Sequence, residues 1–180
     1  MYRAFILSVF LLFCSKKNPD LIIQGNLSQQ DISLALEVHN NARADVGLEV
    51  LKWSNTLAKD AQVWANTLAN IDKMFHSSNK SRVNQGENLY YSFKTENGLK
   101  VYSKTPAKDA SASWYNEINE YTYSPIGSPL NKSVVIGHYT QMVWKTTTKV
   151  GMAKARSSSG KEYIVARYAP GGNYIGDYPY

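Results

Sequence analysis

VVIGHYTQMVW, residues 134–144, decides how the rest of the chain is read. Val134, Val135, Ile136, Met142, Val143 and Trp144 are apolar, and Gly137, His138, Thr140 and Gln141 interrupt them. A fold that buries this stretch therefore buries or half-buries an imidazole, and each ring nitrogen then needs a partner. Two acids in apolar, aromatic settings are the candidates to supply one: Glu87 in GENLYY and Glu117 in WYNEINEY. A second histidine, His76 in FHSS, stands shortly before the first of them.

Upstream, Thr105-Pro106 predicts a helix start, a capping residue followed by proline at the first helical position. Ala110, Trp114, Glu117, Ile118 and Tyr121 then share one face, which turns Glu117 toward the aromatic residues. A carboxylate there has to be paired, because burying it alone is costly. Tyr123–Asn131, with Pro125, Gly127 and Pro129, predicts a loop. Downstream the period changes: Val150–Arg156 and Glu162–Tyr168 flank the turn residues Ser157–Gly160 and predict an antiparallel hairpin. The ending YAPGGNYIGDYPY, residues 168–180, predicts an ordered loop packed by its aromatic residues.

Further toward the N-terminus, Ile71–Lys104 has no clear period and predicts a long loop. Its mixture of His76 and Glu87 with Phe75, Leu89 and Tyr90 fits polar residues aimed into a cleft, or a solvated loop with an ordinary salt bridge. Ser54 caps a predicted helix with Leu57, Ala61, Trp64, Ala65 and Leu68 on one stripe. Ser28 caps an earlier one, with Asp31 as the acid three residues on and Ile32, Ala35, His39, Ala42 and Val46 inward until Gly47. His39 on that face is read as a satisfied core histidine, not a ligand.

Residues 1–15 predict a targeting segment: Arg3, then the apolar run Ala4–Phe13, too short to span a bilayer. Cys14, the one cysteine of the chain, closes that run. It is either an incidental residue beside a cleavage point or the lipidated first residue of a lipoprotein. Residues 16–27 predict a polar tether and residues 28–180 the folded domain. Both readings export the protein, to the extracellular space or to a lipid anchor at the cell surface. A domain without cysteine has no disulfide, no thiolate metal site and no cysteine nucleophile.

The 180 residues suit one domain, and 43% hydrophobic with 19% charged residues suits a soluble one. The net charge of +6 is scattered, as on a basic solvated surface; no nucleic-acid motif accompanies it. Asn26, Asn79 and Asn131 each begin an N-x-Ser sequon.

GHYTQMVW and YAPGGNYIG resemble the two signature sequences of the CAP superfamily, the cysteine-rich secretory, antigen 5 and pathogenesis-related 1 proteins, also called the SCP domain. FHSS with GENLYY, and WYNEINEY, match its two looser signatures. The resemblance implies an α+β fold, a three-layer α-β-α sandwich around a central antiparallel sheet. It implies a cavity tetrad of His76, Glu87, Glu117 and His138, able to hold zinc or another divalent cation weakly. It also implies a binding module for a lipid, a sterol or a protein surface. Met152 and Ala166 stand where many relatives have cysteine, so the chain is similar to the disulfide-free members. Two other functions stay open: a metal-dependent hydrolase, although HExxH is absent, and a tetrad that only fixes the fold. A serine hydrolase has no support, since GxSxG is absent.

Overall fold

The computed structural model describes residues 23–25 and 27–180; the expectations for the targeting segment, Cys14, most of the tether and Asn26 lie outside the described residues. The elements in chain order are β1 (Ile23–Gly25), α1 (Gln29–Ala44), β2 (Lys52–Trp53), α2 (Asn55–Ile71), β3 (Gly86–Ser92), β4 (Lys94–Glu96), β5 (Leu99–Val101), α3 (Pro106–Tyr115), α4 (Gly137–Met142), β6 (Lys149–Arg156) and β7 (Glu162–Ala169). The main sheet runs β1-β6-β7-β3, every neighbour antiparallel, with the two-residue β2 added parallel to β6. β4 and β5 form a separate hairpin.

The sandwich follows from the alternation of β6 and β7. Val150, Met152, Ile164, Ala166 and Tyr168 join Ala35, Ala42, Ala107, Ala110, Trp114, Tyr139 and Met142 in one core, so α1, α3 and α4 cover that face. Ala153, Ala155, Tyr163 and Val165 join Ala61, Ala65, Leu68 and Leu89 in the other, so α2 covers the opposite face. Side chains of successive strand residues point to opposite faces, which is why one hairpin can feed two cores. α2 lies close enough that a Cβ at Gly151 would come within 2.3 Å of the Ala58 nitrogen. Only glycine fits there.

Five expectations change. Gly86–Ser92 is a strand, not part of a loop, and pairs along its length with β7. Its period was hidden because Glu87 and Asn88, adjacent and both buried, occupy opposite faces where apolar residues are the usual markers. The third helix ends at Tyr115, and Glu117 sits in the 3₁₀ turn Asn116–Asn119 that follows. Thr105 makes no side-chain cap; the backbone N–H groups of Ala107 and Lys108 donate instead to the buried Asp31 carboxylate, at 3.0 and 2.9 Å. Asp31 therefore completes only half a capping box: its own N–H donates to Ser28 Oγ at 3.1 Å, while its carboxylate serves another helix. Finally, Ile23–Gly25, at the end of the expected tether, pairs with Lys154–Arg156.

Candidate functional site

His76 follows the C-terminal end of α2. Trp64 fixes it indirectly, donating from its indole nitrogen to the Phe75 carbonyl at 3.1 Å and meeting the Phe75 ring edge to face at 5.2 Å. The His76 Nδ1 lies 2.7 Å from Glu87 Oε1, with the imidazole 55% exposed and the carboxylate fully buried. Glu87 also accepts from the Ser77 N–H at 2.9 Å and the Ser77 hydroxyl at 2.8 Å. Opposite it across the β3–β7 ladder stands Arg167, whose Nη2 is 3.0 Å from Glu87 Oε2. Burial pushes the Glu87 carboxyl up, but the hydrogen bonds from His76 and Ser77 and the charge of Arg167 outweigh it and hold the group below the ordinary carboxylate value. Glu87 is thus a buried, ionised carboxylate with every oxygen engaged.

The second pair belongs to α4. Glu117 Oε1 lies 2.5 Å from His138 Nδ1, and Glu117 Oε2 accepts from the backbone N–H groups of His138 and Tyr139 at 2.9 and 3.0 Å. The acid therefore caps a helix that has no side-chain cap of its own. Trp114 stacks on the His138 ring at 6.0 Å with 17° between planes. The His138 side chain is 27% exposed and that of Glu117 14%.

All four expected residues are therefore engaged, but as two histidine–carboxylate pairs. Among the described residues there is no group of three or more His, Cys, Asp or Glu side chains arranged to hold a metal ion. Glu87 faces Arg167 and His76, while Asn88, next along the strand, donates from Nδ2 to the His138 carbonyl and to the Tyr168 hydroxyl, both at 3.1 Å. Tyr168 in turn is 2.8 Å from Nε2 of His39, whose Nδ1 donates to the Ala35 carbonyl at 2.8 Å. His39 is a satisfied core histidine, as the sequence suggested. A cleft of about 490 Å³ opens beside the first pair, with His76, Arg82, Asn84, Gln141 and Tyr174 among its walls.

Sequence reasoning missed Arg167, Arg43 and Asn88. Arg167 had a readable signal: a lone cation inside the apolar run Tyr163–Tyr168 has to find a buried acid or a set of carbonyls. Arg43, four residues after His39 on the inward face of α1, carried the same signal. Asn88 had none.

The donor chemistry fits a divalent ion in part. Each imidazole has Nδ1 committed to a carboxylate, the arrangement by which outer partners orient a metal-ligating histidine, and Nε2 left to a ligand. Both carboxylates are already committed.

The chain matches the CAP family model, described as the cysteine-rich secretory protein family, over residues 36–168, and it belongs to that family. With a single cysteine it is of the disulfide-free type. It is 34% identical over 150 residues to Golgi-associated plant pathogenesis-related protein 1 of Homo sapiens, covering 83% of this chain and 89% of the relative. It is 36% identical over 184 residues to pathogenesis-related protein 1C of Nicotiana tabacum, covering 100% of this chain and 95% of the relative. Among solved structures it is similar to that of NaASP2 with Zn2+, at a TM-score of 0.72 and 26% identity, covering 87% of each chain.

Proposed function

We propose that this CAP domain is an exported binding module, not an enzyme, and that Nε2 of His76 and Nε2 of His138 take a divalent transition ion weakly and reversibly. The observation that carries this reading is the matched pair of imidazoles, each held through Nδ1 by a carboxylate, at 2.7 and 2.5 Å. Imidazole nitrogen suits zinc, and a solved relative was crystallised with Zn2+. Two nitrogen ligands without thiolate give low affinity, with water completing the coordination. The same hydrogen bonds disfavour a hydrolase: Glu87 and Glu117 spend both oxygens on protein donors, so neither is disposed to act as general base. Export rests on the apolar run Ala4–Phe13, and mass spectrometry of the mature N-terminus separates cleavage from lipidation of Cys14.

A lipid partner finds its match away from the polar cleft. The better match is an apolar hollow of about 460 Å³ lined by Leu27, Ile32, Trp53, Ala58, Met152 and Ala153.

Calorimetric titration of zinc into the chelator-treated protein, beside the His76→Ala/His138→Ala double variant, tests the ion site. Binding should be weak, lost in the double variant, and weaker on acidification, because coordinating imidazoles must be unprotonated. Equal binding by both proteins places zinc elsewhere, and binding by neither removes the metal from the reading.

A further inference from the structure

We infer that the cleft beside His76 is a site for short neutral oligosaccharides, with the Tyr174 ring as stacking platform and His76, Arg82 and Asn84 as its hydrogen-bonding edge. The inference rests on and deepens the binding-module reading; it shares His76 Nε2 with the proposed ion site, so it is tested on the ion-free protein.

Its volume of about 490 Å³ falls in the range of small-ligand clefts, yet its walls are polar. An apolar ligand would leave those groups unpaired, whereas a sugar offers hydroxyls to planar polar side chains and a C–H face to an aromatic ring. Of the charged groups on the cleft wall, Glu87 is compensated by Arg167 at 3.0 Å and has no oxygen to spare, while Arg82 is the one Lys or Arg that lines the cleft and is partly spent on the Ser77 and Gln85 carbonyls. A single cation already spent in part on two carbonyls serves as a donor to a sugar hydroxyl, and the heparin comparison below tests whether an anion is preferred.

The presented groups are also held in advance. Arg82 donates from Nε to the Ser77 carbonyl at 3.2 Å and from Nη1 to the Gln85 carbonyl at 3.3 Å, which leaves both N–H groups of Nη2 and one of Nη1 unused among the described residues. His76 is fixed through Nδ1 and presents Nε2. Asn84 is anchored by its backbone carbonyl, which accepts from the Gly171 N–H at 2.9 Å, so its carboxamide is available. Tyr174 is 53% exposed but not loose: its ring meets the buried Trp144 edge to face at 5.9 Å. The preceding Asn173 ties that loop to α4, donating to the Gly137 carbonyl at 2.7 Å and accepting from the Thr140 hydroxyl at 2.8 Å. Groups fixed before the ligand arrives lose little freedom on binding.

The test is calorimetric titration of the chelator-treated full chain with chitotetraose, cellotetraose and maltotetraose, and with a heparin tetrasaccharide as the anionic comparison. Saturable binding of at least one neutral sugar is expected, weakened about tenfold or more in Tyr174→Ala through loss of the aromatic face and again in Arg82→Gln. Tyr174 is exposed, so its variant folds, and its zinc titration should match that of the parent protein. Loss of sugar binding in Tyr174→Ala with zinc binding intact supports the inference; zinc failing while sugar binds overturns the metal reading alone. No saturable binding by any neutral sugar, binding by heparin alone, or affinity unchanged in both variants overturns the saccharide site.

Discussion

His39 sets the acid limit of the fold. It is fully buried between the Ala35 carbonyl and the Tyr168 hydroxyl, and burial, aided by the charge of Arg43, lowers it to about 4 despite the Ala35 hydrogen bond. In the unfolded chain the same imidazole takes a proton near its ordinary value of about 6.5. Between those two values the unfolded state binds a proton that the native state refuses. The stability contribution is therefore whole above about 6.5 and is lost as pH falls toward 4, by about 3 kcal/mol at most. Urea unfolding at pH 7, 5.5 and 4.5 should show this decline, and His39→Gln should flatten it while lowering stability at pH 7. Arg167 is the second residue of this kind. Its Nε has no hydrogen-bond partner among the described residues, so its place is held by Glu87, Ser77 and Gln85 through the other two nitrogens. Arg167→Leu strands a buried carboxylate and should cost about 3–5 kcal/mol. Adding Glu87→Gln should recover part of that loss in a double-mutant cycle, and strict additivity would show that the pair does not interact.

At the scale of elements, α4 is held at both ends by charges borrowed from elsewhere. Glu117 accepts from its first N–H groups. At the other end the buried Arg43 donates to the carbonyls of Met142, Trp144, Thr147 and Glu49, at 3.1, 2.9, 3.1 and 2.6 Å. An acid at the start and a cation at the end both favour the helix dipole, and a helix this short does not persist without such support. Arg43→Met should destabilise more than Glu117→Ala, because four carbonyls lose their donor against two N–H groups and one imidazole; each stranded group costs about 1–3 kcal/mol. Thermal melts give the order, and amide exchange should show α4 opening first in both. The same borrowing limits what the sequence discloses. Helices α1 and α2 were legible because Ser28 and Ser54 cap them locally, and the β6–β7 hairpin because its turn and apolar runs are contiguous. The start of α3 is legible from Thr105-Pro106, but its cap is not: Asp31, seventy-odd positions away, accepts from its first N–H groups in place of Thr105. Likewise β3 reads as loop in the sequence because its polar residues find their partners only across the sheet. The four candidate residues are picked out by their motifs, but which acid each histidine pairs with, Glu87 with His76 and Glu117 with His138, is visible only in the fold.

The whole molecule holds together without a covalent staple because one sheet is covered on both faces, each with its own core. That arrangement puts the burden on β6 and β7, which feed both cores and carry Arg167, Tyr168 and Gly151. Met152 and Ala166 are directly opposed in the register of this pair and are both buried against α1 and α3. Where many relatives have cysteine, this chain packs a thioether whose sulfur lies 3.9 Å from the Ser111 hydroxyl. Opposed positions on adjacent antiparallel strands are near enough for a bridge, and that bridge would close a loop of about a dozen residues through the 157–161 turn. Chain entropy alone then predicts a gain of about 3 kcal/mol, set against the packing lost with the Met152 side chain, about 2 kcal/mol or more. The oxidised Met152→Cys/Ala166→Cys protein should therefore be near the parent in stability, and the reduced form clearly below both. Melting each form with and without reductant, after thiol titration, separates the two terms. Finding both introduced thiols free in the folded, oxidised sample, with Cys14 accounted for, would mean that the strands do not hold the register described. A reduced form as stable as the parent would mean that Met152 contributes little to its core, and that the helical layer over this face, not the strand pair beneath it, carries the stability.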